Sequence, residues 1–77
     1  SQAFRSAIYS EDEAEMQQLI AYLREHMGAA VEDFVPFEEA YARTDWSRYR
    51  DLPAFEATNR GNAYIVYLEM EAALLGG

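Results

Sequence analysis

His26 is the only histidine in this chain, and no cysteine accompanies it. A tetrahedral zinc centre takes several imidazole, thiolate or carboxylate ligands, so His26 alone builds none unless carboxylates come to it from elsewhere. Flanked by Glu25 and Met27, it reads as a boundary residue beside an apolar stripe. Nucleophilic catalysis finds no support either, because Ser1, Ser6, Ser10 and Ser47 have no patterned base and no oxyanion loop. Gly28 and Gly61 stand isolated and make no phosphate cradle. Glu69 and Glu71 lie two positions apart, about 200° around a helix, and cannot share a proton as an acid/base pair. The cluster Glu11, Asp12, Glu13 and Glu15 has no histidine to complete a site and suits the first turns of a helix, where carboxylates meet the positive end of the dipole. The residues therefore supply no catalytic, cofactor-binding or metal-binding site of their own.

The remaining polar candidates are Asn59 and Asn62. Both fall on the apolar side of a predicted helix, where a buried amide requires partners for both its ends. We read them as structural polar residues bonding to a neighbouring loop, in preference to a substrate contact. All six basic residues are arginines scattered through a chain of net charge −8, a balance that repels phosphate polymers and anionic membrane surfaces. Trp46, Arg48, Tyr49 and Arg50 alternate in a way that could stack bases, but in this acidic setting core packing is the better reading. No run approaches a membrane span and no basic-then-apolar signal segment opens the chain, so a soluble protein is expected. The first residue is Ser rather than Met, which suggests a processed, tagged or excised product. A cysteine-free chain is silent about redox compartment.

The elements that hold these residues are helical. With 77 residues the chain forms at most one domain, burying only about 60% of its unfolded surface. Its apolar content of 51% still places it among chains that fold. Residues 1–9 read as a leader or a short helical turn. Ser10 and Glu13 form a capping pair that opens a helix over 10–34, along which Met16, Leu19, Ile20, Leu23, Met27, Ala30, Val31 and Phe34 recur at threes and fours. Gly28 interrupts this stripe and marks a close approach or a kink. Val35-Pro36 ends the helix, since a residue before proline avoids helical backbone. Pro36 then starts a short helix over 36–43 with Phe37, Ala40 and Tyr41 inward. Residues 44–52 form a connection whose Trp46, Tyr49 and Leu52 plug the gap between long helices, and Pro53 opens a final helix over 53–75, stopped by Gly76-Gly77. The expected fold is all-α, with two long amphipathic helices packed antiparallel around Leu19, Ile20, Leu23, Met27, Val66 and Met70.

The final helix is apolar on two sides. Phe55, Asn59, Asn62, Ala63, Val66, Met70 and Ala73 share one side, whereas Tyr64, Ile65, Leu68, Ala72 and Leu75 form a second sector roughly opposite. A helix apolar on both sides is normally covered on both. Two long helices cannot do this alone, so Tyr64, Ile65, Leu68 and Leu75 are expected to meet a protein partner: a second copy, another subunit or the remainder of a larger protein.

Within that helix runs Asn59-Arg60-Gly61-Asn62-Ala63-Tyr64-Ile65-Val66-Tyr67-Leu68-Glu69-Met70-Glu71. Upstream lie Tyr22-Leu23-Arg24-Glu25, Val31-Glu32, Phe37-Glu38-Glu39-Ala40 and Trp46. Together these resemble the C-terminal helical tail of bacterial metallo-β-lactamase-fold hydrolases over most of residues 16 to 74. The resemblance implies a parent hydrolase dependent on zinc, often a dinuclear centre, with metal ligands in a His-rich motif and later His and Asp positions. None of those motifs is found here, and His26 matches none of them. The chain is thus expected to be a non-catalytic appendage packing on a catalytic core or a dimer partner, with no cofactor of its own. The alternative is an independent small acidic module for protein interaction.

Overall fold

The computed structural model describes residues 2–52 and 54–76, with side chains from Glu13 onward. The chain forms three helices, α1 (Gln2–Glu32), α2 (Phe37–Arg43) and α3 (Phe55–Gly76), and no strand among the described residues. The all-α class is as expected. The start of α1 is earlier than expected, because the backbone is helical from Gln2 and Ser10 falls inside the helix. A capping residue starts a helix only where the preceding chain leaves helical geometry. Residues 1–9 hold no Gly or Pro and include two alanines, so nothing halts the helix there.

α1 ends in a Schellman motif. The Val35 N–H donates to the Ala30 carbonyl at 2.8 Å and the Phe34 N–H to the Val31 carbonyl at 3.1 Å, satisfying two carbonyls that the helix end leaves open. This geometry requires left-handed backbone at Phe34, whose φ is 59°. Phe34 therefore does not extend the buried stripe: the reversal turns its ring outward to 84% exposure. Pro36 precedes α2 in extended conformation as its N-cap, and is not its first helical residue. Pro53 and Gly77 lie outside the described residues, and α3 begins at Phe55 after left-handed Ala54.

The core joins Leu19, Leu23, Met27 and Ala30 of α1 to Phe37 and Ala40 of α2, Trp46 and Tyr49 of the connection, and Phe55 and Ala63 of α3. Trp46 and Tyr49 thus fill the gap between helices as expected, with Leu52 half-buried against them. The Trp46 indole N–H donates to the Tyr41 carbonyl at 3.1 Å, which gives its one polar atom a partner. Gly28 faces α3: a Cβ built there would lie 3.7 Å from Met70 Sδ, at ordinary contact distance.

The long helices contact each other as expected, but they run in the same general direction. Phe55, at the start of α3, packs on Trp46, which packs on Tyr22 in the middle of α1. Met70, near the end of α3, lies beside Gly28, near the end of α1. α2 runs opposite to α3, pairing Phe37 with Tyr67 and Tyr41 with Asn59. The expectation of antiparallel packing treated residues 35–54 as a mere link, whereas they cross back over the molecule as a layer of their own.

Part of the stripe stays uncovered. Met16 and Ile20 are both exposed, whereas Leu19, in the same turn as Ile20, is buried; one position, about 100° of rotation, carries Ile20 off the covered face. Ile20 is thus not a core residue. On α3, Val66 and Met70 are half-buried and Ala73 is exposed.

Candidate functional site

Two regions hold the candidate residues. The first is a cleft of about 360 Å³ between the end of α1 and the end of α2, lined by Tyr22, His26, Asp33, Val35, Arg43 and Asp45 among others. α1 places Tyr22 and His26 one turn apart, and their rings stack with centroids 4.1 Å apart. The Tyr22 hydroxyl donates to the Asp45 carbonyl. Partial burial, then the neighbouring negative charge of Asp45, raises its pKa above the ordinary phenol value. Asp45 accepts a hydrogen bond from the Ser47 backbone N–H at 3.0 Å, and this bond holds its carboxyl below the usual carboxylate range. The nearest carboxylate oxygen to His26 Nε2 is that of Glu25, at 4.0 Å. Among the described residues no group of three or more His, Cys, Asp or Glu side chains is placed to hold a metal ion.

The second region is α3. Asn59 is 2% exposed and its Nδ2 donates to the Tyr41 hydroxyl at 3.1 Å, tying α3 to α2, while its Oδ1 has no protein partner. The partner is thus a helix side chain rather than a loop. Beside it Arg60 sits over the Phe37 ring and forms an ion pair with Glu38; the hydrogen bond to Glu38 and then its charge raise the guanidinium pKa further. The Tyr67 hydroxyl donates to the Val35 carbonyl at 2.9 Å, clamping α3 to the turn after α1. Asn62 is exposed, not buried: three positions beyond Asn59, it is carried around the helix past the edge of the α1 contact.

Tyr64, Ile65, Leu68 and Leu75 are all exposed, with the Tyr64 ring edge-on to Phe37 of α2 at 5.0 Å and Leu75 bordering the turn after α1. Sequence reasoning missed Leu74, half exposed, and the outward ring of Phe34, which together with Val31, Pro36, Tyr67 and Leu75 line a groove of about 270 Å³. Phe34 carried a signal, since it lies two residues before Pro36, where the helix has to end. Leu74 carried none beyond its hydropathy. No helix is long and apolar enough to cross a membrane among the described residues. Comparison with known protein families, curated proteins and solved structures finds no match for this chain.

Proposed function

We propose that this chain is a non-catalytic helical appendage that docks on another protein surface through the outer face of α3, in the manner of the C-terminal tail of a metallo-β-lactamase-fold hydrolase. One observation carries the reading: α3 packs on α1 and α2, yet keeps Ile65, Leu68, Leu75 and one face of Tyr64 exposed. Each such Leu or Ile is worth about 1.5–3 kcal/mol when fully buried, and a cluster of them open to water on so small a chain marks a contact surface. Met16 and Ile20 of α1 give a second uncovered stretch for the same partner. The family part of the reading rests on the sequence pattern alone. Under it, zinc and its ligands belong to a preceding catalytic body, the chain itself takes no cofactor, and neither nucleic acid nor membrane is a partner.

The test is to express the uninterrupted reading frame that encodes this segment, alongside its Ile65→Glu, Leu68→Glu double variant. The expected result is zinc-dependent hydrolysis by the longer product, none by residues 1–77, and a lower melting temperature for the double variant in the longer product only. A reading frame without a His-rich metal motif removes the family part. Equal melting temperatures in both contexts remove the docking face itself. The competing reading, an independent acidic interaction module, keeps the docking face and drops the parent enzyme.

A further inference from the structure

Ala57, Gly61, Tyr64, Leu68, Ala72 and Leu75 are all exposed. They follow one another along α3 at intervals of four, three, four, four and three, which keeps them on a single stripe of the helix. The stripe is graded: its first two residues are small, and its last turns carry Leu68 and Leu75. No residue of it is charged, although the whole chain carries −8. Gly61 sits in the middle of a long helix, where glycine is a poor helix former, and a Cβ built on it would meet nothing within 4 Å. The fold of one chain gives that glycine no reason. A second helix crossing close to the α3 backbone does.

We propose that the occupant of this stripe is the α3 stripe of a second copy, laid antiparallel across a twofold axis near Ile65 and Val66. The inference rests on reading the outer face of α3 as a docking surface and goes further by naming what docks. A graded stripe complements itself only when reversed. Ala57 of one copy then lies opposite Leu75 of the other, Gly61 opposite the Glu71–Ala72 turn, and Tyr64 opposite Leu68. A parallel pairing would set small against small and leave a gap at one end. Charge agrees with the reversal, because Arg60 and Glu71 lie on the same edge of the stripe and equally far from its centre. A twofold axis brings each Arg60 to the other copy's Glu71 twice over. Arg60 is still more than half exposed while paired to Glu38, so its guanidinium has donors to spare.

The area sets the strength. Tyr64, Ile65, Leu68 and Leu75 keep 47%, 56%, 42% and 77% of their surface in water. At roughly 150–250 Å² for a large side chain, they leave on the order of 400 Å² per chain. With the backbone and small residues of the stripe, two copies bury about 1,000 Å², the lower edge for a specific interface. At that size the dimer is weak and forms only at high concentration.

The chain has no cysteine, so single thiols can be placed on it cleanly. The experiment combines light scattering of residues 1–77 at concentrations up to about 0.5 mM with oxidative cross-linking of Gly61→Cys and Ala72→Cys, each alone and mixed in equal amounts. Both positions are exposed and carry no core contact. The expected result is a concentration-dependent dimer, with the mixture cross-linking at least fivefold faster than either variant alone. That preference should vanish when Ile65→Glu and Leu68→Glu are added. Gly61→Leu, which favours helix, should keep the chain folded and lower dimer affinity at least tenfold. Equal cross-linking in all three samples, or a monomer throughout, overturns the antiparallel pair. A monomer whose longer gene product still loses stability on Ile65→Glu, Leu68→Glu shows that the face docks on a catalytic body instead, whereas loss of both effects removes the docking surface as well.

Discussion

Replacing Phe34 with glycine should stabilise the fold relative to alanine at the same position, although phenylalanine is the larger apolar residue being removed. Phe34 holds φ 59° because the Schellman bonds at the end of α1 require left-handed backbone there. For a residue with a Cβ this costs about 1–2 kcal/mol. Glycine escapes the cost but loses about 0.5–1 kcal/mol through its freer unfolded chain, leaving a net advantage over alanine of about 0.5–1 kcal/mol. The ring itself contributes little, since 84% of Phe34 stays in water, so Phe34→Ala alone should change stability by under about 0.5 kcal/mol. For a domain of this size the glycine-minus-alanine difference corresponds to roughly 2–8 °C in melting temperature. Urea and thermal unfolding of wild type, Phe34→Ala and Phe34→Gly, followed by helical circular dichroism at low concentration, measure both terms. A Phe34→Gly variant less stable than Phe34→Ala would refute the strained cap. A Phe34→Ala cost above about 1 kcal/mol would mean instead that the ring is covered in solution.

Three further outcomes are expected. Gly28→Ala should raise stability by about 1 kcal/mol, because the added methyl reaches Met70 at ordinary contact distance while helix propensity improves; chemical denaturation checks it, and a loss would mean that the helices approach more closely. Met27→Ala should cost about 2–5 kcal/mol, since Met27 is fully buried at the centre of the core, and in so small a domain a loss of helical signal at 37 °C is the readout. Asp45 is held below its ordinary pKa by the Ser47 N–H, so its contribution to stability is fully present above the unfolded value of about 3.9 and disappears as pH falls through the lower folded value. Asp45→Ala should therefore flatten the fall in melting temperature between about pH 4.5 and pH 3, and an unchanged acid limb would contradict the assignment.

The period of the apolar residues made the helices legible, and Trp46 and Tyr49 could be placed in the core because aromatic residues three apart in a short connection have few other places to go. Direction was not legible. Periodicity says which face of a helix is buried, and only the path of residues 35–54 decides whether α3 returns beside α1 or against it. The exposure of Met16 and Ile20 was hidden as well, since their spacing is that of core residues, yet Leu19 beside Ile20 is buried and Ile20 is not. Asn59 and Asn62 share a residue type and a helix, yet three positions of rotation separate a buried amide bonded to Tyr41 from one in water. The exposure of Tyr64, Ile65, Leu68 and Leu75 was readable because large apolar residues outside the buried stripe of a helix need no tertiary detail to be recognised.

Running α1 and α3 in the same direction adds their helix macrodipoles instead of cancelling them. In an antiparallel pair the helix macrodipoles oppose each other. Here the negative ends, each equivalent to roughly half an elementary charge, gather where Val31 and Phe34 meet Glu71 and Leu74. No basic residue stands in the last turn of either long helix to offset them, and Glu32, Asp33, Glu69 and Glu71 add full charges nearby. That end of the molecule is an anionic pole. Anything approaching it is sorted by charge before any side chain touches, with cationic surfaces drawn in and acidic ones turned away over the Debye length of about 8 Å at physiological salt. Added salt screens this repulsion within the chain as well as between chains, so the fold itself should tolerate, and gain from, high ionic strength.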